Sequence, residues 1–101
     1  MNRTKNGEPI AYGEYQHFKK KPGALYVLHD TSIHRSEGPL EGKTMVHYRP
    51  LQEDFEWATR TYDDFFEHVD KPEYGHSGPR FTLVRELTKE EACALAKAAA
   101  R

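Results

Sequence analysis

The sequence holds a single cysteine, Cys93, so no intramolecular disulfide can form. Small secreted domains usually depend on disulfides, so this shortage points to a reducing compartment. The opening MNRTKNGEPIAYG lacks the apolar core of a signal peptide. No apolar run approaches the roughly 18 residues of a membrane span. The expectation is a cytoplasmic protein with no membrane partner, from a bacterium or a virus that infects one. Neither charge sign dominates: 15 Lys and Arg stand against 16 Asp and Glu, a net charge of -1 with His neutral. That balance excludes a global positive field that would draw the chain onto nucleic acid or anionic lipid. G-x-G-x-x-G, Walker A, G-x-S-x-G and H-E-x-x-H sequences are all missing. The usual phosphate-cradling loop, nucleophile elbow and zinc-protease helix are therefore excluded. His17, His29, His34, His47, His68 and His76 are scattered, whereas a zinc site needs three or four convergent ligands. No metal and no cofactor are expected.

What the sequence does have is aromatic side chains, 12% of its 101 residues, against 37% hydrophobic residues in all. A chain this long supports one domain with a thin core, burying roughly 65% of the surface its unfolded form exposes. Each aromatic can bury about 150–250 Å², which offsets the polar composition and argues against disorder.

Residues 1–12 are polar, with Gly7 and Pro9, and read as a flexible N-terminal arm. Alternation predicts a strand over 14–18, a turn at Lys19-Lys20-Lys21-Pro22-Gly23, and strands over 24–33 and 43–48. In the last of these Met45, His47 and Arg49 share one face, with Val46 and Tyr48 on the other. A further strand is expected over 55–60, with Phe55, Trp57 and Thr59 on one face. Thr61 and Asp64 resemble a capping box, opening a helix of about two turns. Residues 70–79 read as a loop and 80–86 as a strand. Thr88 and Glu91 form a capping box that opens the Ala-rich helix 89–101. Its narrow stripe of Ala92, Leu95, Ala96 and Ala99 suits packing on the domain or on a partner subunit. The expected domain spans 13–87 with the C-terminal helix over 88–101. The fold class is mainly β: a small bent antiparallel sheet or SH3-like barrel of about five strands, with a short helix and a C-terminal helix.

The order of these residues resembles a small bacterial and phage family, domain of unknown function 1653. The resemblance is carried by Tyr15, His17, Phe18 and Lys19, then Tyr26-Val27-Leu28, then His34, Ser36 and Glu37. It continues through Val46, Tyr48 and Arg49, Trp57 and Arg60, Phe65 and Glu67, and closes on Pro79-Arg80-Phe81. It covers about residues 13–82. Arg35 interrupts the family's His-Ser-Glu, Trp57 and Arg60 stand one residue further apart than usual, and Thr61 replaces a proline. The resemblance implies a compact intracellular domain, sometimes fused to nucleotide-handling enzymes. It implies no assigned activity.

Two constellations can carry chemistry. His34, Ser36 and Glu37 at a strand end offer a base, a hydroxyl and a carboxylate, the makings of a small hydrolase or transferase. Set against that is a loop start whose Ser and Glu satisfy backbone donors. Tyr48, Trp57, Arg60 and Arg80 offer bidentate anion contacts and stacking surfaces. The competing reading places Trp57 and Tyr48 in the core and pairs the arginines with Asp63, Asp64 or Glu67. The Lys19–Lys21 run near Tyr15, Phe18 and Tyr26 could serve single-stranded nucleic acid, or be a solvated turn. Cys93 reads as a small buried hydrophobe.

The leading expectation is a non-catalytic binding module for a nucleotide-like or other anionic small ligand. Its candidate site residues are His17, His34, Ser36, Glu37, Tyr48, Trp57, Arg60 and Arg80. The alternatives are the His34–Glu37 enzyme and a protein-interaction module, the latter with a homodimer through a strand edge or the Ala-rich helix.

Overall fold

A computed structural model describes residues 2–20, 24–51 and 57–99. Lys21, Pro22 and Gly23 of the expected turn, and Phe55 of the expected fourth strand, lie outside the described residues. The strands are β1 (Asn2–Arg3), β2 (Pro9–Ile10), β3 (Gly13–His17), β4 (Leu25–Ile33), β5 (Thr44–Pro50) and β6 (Ala58–Thr61). They are followed by the one-turn helix α1 (Tyr62–Phe65), β7 (His68–Lys71), a 3-10 turn at Pro72–Tyr74, β8 (His76–Pro79), β9 (Phe81–Glu86) and helix α2 (Lys89–Ala99).

Five strands form one antiparallel sheet in the order β6-β5-β4-β3-β9, bent by bulges in the β3–β9 and β4–β5 pairings. The bent sheet matches expectation; the closed SH3-like barrel does not occur. Closure would require β6 to pair with β9, and the chain places α1 and the β7–β8 hairpin between them. Phe65 of α1 is fully buried there, stacked on Phe81 of β9 at 4.1 Å between ring centroids and edge-on to Tyr48 of β5 at 5.4 Å. Burying one such side chain contributes about 1.5–3 kcal/mol.

One face of the sheet is aromatic. Tyr15 and Tyr26 are register partners, as are Leu28 and Tyr48, and His17 and Phe81. The opposite face carries Val27 and Arg49, also register partners, and is covered by α2. Ala92 and Ala96 of the expected apolar stripe are fully buried, and small side chains allow this close approach. Arg49, 1% exposed, reaches the Ala96 carbonyl in the last turn of α2 at 3.5 Å, where a cation suits the helix dipole.

Other expectations changed. Residues 2–12, read as a flexible arm, contain the paired β1 and β2 and supply Ile10 and Tyr12 to the core. The expected two-turn helix has one turn. Thr61 caps it, accepting from the Asp64 backbone N–H at 3.1 Å. It then ends because the chain turns into β7, with Glu67 accepting from the Arg80 N–H at 2.7 Å. Residues 70–79 are mostly the β7–β8 hairpin rather than an irregular loop; Gly75 takes the left-handed conformation (φ 63°) that ends the 3-10 turn. Among the described residues no helix is long and apolar enough to cross a membrane.

Candidate functional site

At one end of the aromatic face a cavity of about 350 Å³ is lined by His17, Lys19, Lys20, Tyr26, Tyr48, Arg60, Arg80 and Phe81. The sheet register assembles it. β3 brings His17 opposite Phe81, and Arg80 directly precedes β9. β5 and β6 run side by side, which sets Arg60 near Tyr48. A tight turn after β3, with Lys20 N–H donating to the His17 carbonyl at 3.1 Å, folds both lysines toward the same opening.

Arg60 is held on three sides. Its Nε donates to the Tyr48 hydroxyl at 3.0 Å and its Nη1 to Asp64 Oδ2 at 2.6 Å, while its Cζ lies 5.6 Å from the Phe81 ring centroid. Burial works against its charge, but the hydrogen bonds with Asp64 and Tyr48 outweigh it and raise the pKa. Arg80 donates from Nε to the Asp64 carbonyl at 3.2 Å and pairs with the Glu67 carboxylate. Asp64 and Glu67 thus orient the two guanidiniums. Neither carboxylate lines the cavity, and no acidic side chain does among the described residues. Lys19 extends its ammonium over the Phe18 and Tyr74 rings, at 5.8 and 5.7 Å.

His17 is the histidine that lines this cavity. Its ring stacks on Phe18 and meets Phe81 edge-on, both at 4.8 Å. Burial, and then the charges of Arg60, Arg80, Lys19 and Lys20, push its pKa down to about 4. Its Nδ1 accepts from the Lys19 backbone N–H at 3.1 Å, so the neutral ring carries its proton on Nε2. The imidazole is therefore a neutral hydrogen-bond donor.

Of the eight residues expected at a site, the structure brings His17, Tyr48, Arg60 and Arg80 together. It does not bring in the other four. His34 leads into the β4–β5 loop, where its backbone bonds to Lys43 and Gly42; Ser36 and Glu37 are exposed farther along that loop. Their proximity in sequence reflects a solvated turn. Trp57 is 48% exposed and packs on His29 at 4.4 Å, outside both the cavity and the core. Among the described residues no group of three His, Cys, Asp or Glu side chains could hold a metal ion.

Four further residues line the cavity: Lys19, Lys20 and Tyr26, which the sequence offers as a surface for single-stranded nucleic acid or as a solvated basic turn beside a strand, and Phe81, which it offers as a strand residue. The signal for the lysines was their place two and three residues after His17, across a turn too tight to carry them elsewhere.

The profile of the family described as "Protein of unknown function (DUF1653)" matches residues 13–83, a span that contains every residue of the cavity. No curated protein and no solved structure matches the chain. The chain belongs to that family.

Proposed function

We propose that this member of the DUF1653 family is a non-catalytic binding module for a small anionic ligand, nucleotide-like in size and phosphate-bearing. The observation that carries this reading is the lining of the cavity: Lys19, Lys20, Arg60 and Arg80 without a single carboxylate among the described residues. Charge-assisted bonds from guanidinium to phosphate are about twice as strong as neutral ones. The arginines are already oriented by Asp64 and Glu67, so little side-chain freedom is lost on binding. Tyr26, Tyr48 and Phe81 supply aromatic walls, and about 350 Å³ falls within the roughly 300–1,000 Å³ of small-molecule sites. His17 argues for binding over catalysis. With its pKa at about 4 it is mismatched to proton transfer near pH 7, and it donates a hydrogen bond instead.

The test is calorimetry and thermal shift with inorganic phosphate, pyrophosphate and nucleoside phosphates. Binding at 100 times Kd stabilises the fold by about 2.7 kcal/mol, a readily measured rise in Tm. Arg80→Gln is expected to weaken phosphate binding at least tenfold, and Arg80→Lys less, because lysine keeps the charge but loses the fork. Absence of any shift with millimolar anions would overturn the reading.

A further inference from the structure

The cavity lining is one-sided in hydrogen bonding as well as in charge. Lys19, Lys20, Arg60 and Arg80 carry only N–H donors. Two neutral groups add donors to these. His17 is 9% exposed, and its Nδ1 is occupied by the Lys19 backbone N–H, which leaves Nε2–H as a donor with no acceptor among the described residues. Tyr48 is 8% exposed, and its oxygen accepts from Arg60 Nε, so its own proton points away from that guanidinium and likewise meets no acceptor among the described residues. Asp64 and Glu67 hold Arg60 and Arg80 but do not line the cavity. Set against those two carboxylates, the four cations leave two positive charges in excess.

We propose that this cavity selects a phosphomonoester in its dianionic form, taking the terminal phosphoryl group inside and leaving the ester substituent at the opening. This rests on the anion-binding reading above and narrows it to one ligand class. A phosphomonoester dianion ends in three oxygens that carry no proton, so all three accept hydrogen bonds. Its two negative charges equal the excess on the protein side. A phosphodiester, the linkage of nucleic acid, offers one charge and two such oxygens, which leaves donors and a cation unanswered. A phosphomonoester that keeps one proton brings a hydroxyl donor into a lining made of donors, and a polar group left unpaired on binding weakens the complex.

Calorimetry on the full chain with methyl phosphate, dimethyl phosphate and sulfate separates this inference from the reading beneath it. At pH 7.5 methyl phosphate is expected to bind about tenfold or more tightly than dimethyl phosphate. The second proton of a phosphomonoester leaves near pH 6, so the dianion falls from about nine-tenths at pH 7 to about one-tenth at pH 5, and methyl phosphate affinity should fall about tenfold with it. Sulfate stays a dianion across that range, so its affinity should hold, and any titration of His17, Asp64 or Glu67 would show in the sulfate curve. Lys20→Gln, at an exposed position that does not threaten the fold, should narrow the preference for the monoester over the diester about threefold. Arg80→Gln should weaken all three anions. Equal affinity for the two esters would overturn the selectivity while leaving the anion site intact. A methyl phosphate affinity that follows the sulfate curve from pH 7 to 5, or an unchanged preference in Lys20→Gln, would overturn it too. Failure of all three anions to bind at millimolar concentration overturns both readings.

Discussion

Arg60 donates from its Nε to the Tyr48 hydroxyl at 3.0 Å, and this bond ties the β6 arginine to the aromatic floor of the cavity. Asp64 grips the other side of the same guanidinium at 2.6 Å. The charge is therefore positioned by one neutral and one ionic partner before any ligand arrives. Tyr48→Phe keeps the ring and removes the acceptor. It is expected to cost about 1 kcal/mol of stability, read by urea denaturation, and to weaken phosphate binding a few-fold by calorimetry.

Phe65 holds the open sheet together. Its ring lies parallel to Phe81, within 2°, and it is fully buried. Phe65→Ala leaves a cavity between α1 and the sheet and should destabilise the fold by about 3–5 kcal/mol. The urea midpoint should fall with little change in slope. An effect under about 1 kcal/mol would mean that α1 is not a core element.

His17 makes stability depend on pH. Its pKa falls from about 6.5 in the unfolded chain to about 4 in the fold, because burial and four nearby cations disfavour the imidazolium. Above about pH 6.5 both states are neutral at this residue and its contribution is fully present. As pH drops toward 4, the unfolded chain takes up the proton first, so stability is lost across that window. His17→Asn should flatten that part of the stability profile. In the native protein the His17 ring resonances should titrate near pH 4.

Gly13 sits where β3 meets β9. Its φ is +147°, and a Cβ there would stand 2.1 Å from the Arg85 carbonyl oxygen, which is backbone and has no room to yield. Gly13→Ala should therefore destabilise by about 2 kcal/mol or more, combining backbone strain with a separated strand pair. Thermal denaturation would show it as a lowered Tm.

Thr88 and Glu91 close the start of α2 reciprocally. The Glu91 N–H donates to Thr88 Oγ1 at 3.0 Å, and the Thr88 N–H donates to Glu91 Oε1 at 2.9 Å. Thr88→Ala should cost about 1 kcal/mol. Hydrogen exchange should rise first in the opening turn of α2.

The features legible in the sequence are those set by neighbours a few residues apart. Alternation located strands near 25–33, 44–50 and 81–86, and both caps, Thr61 with Asp64 and Thr88 with Glu91, followed from a three-residue spacing. At His34 and Glu37 closeness in sequence suggested a shared role, and the β4–β5 loop leaves His34 half-buried and Glu37 exposed, neither of them lining the cavity. Trp57, expected at the site or in the core, lies half-exposed against His29, outside both the cavity and the core.

Sequence alone settled the building blocks: a β-rich chain with an Ala-rich terminal helix, and a supply of arginines and aromatics. Tertiary structure decided which of them meet. His17, Tyr48 and Arg60 come from three separate strands and Arg80 from the residue between β8 and β9, and the sheet order β6-β5-β4-β3-β9 sets them around one cavity. The physical reason is range. Caps and pleats depend on bonds within a turn or a strand, whereas a site depends on strand register between segments tens of residues apart, which local preference does not encode.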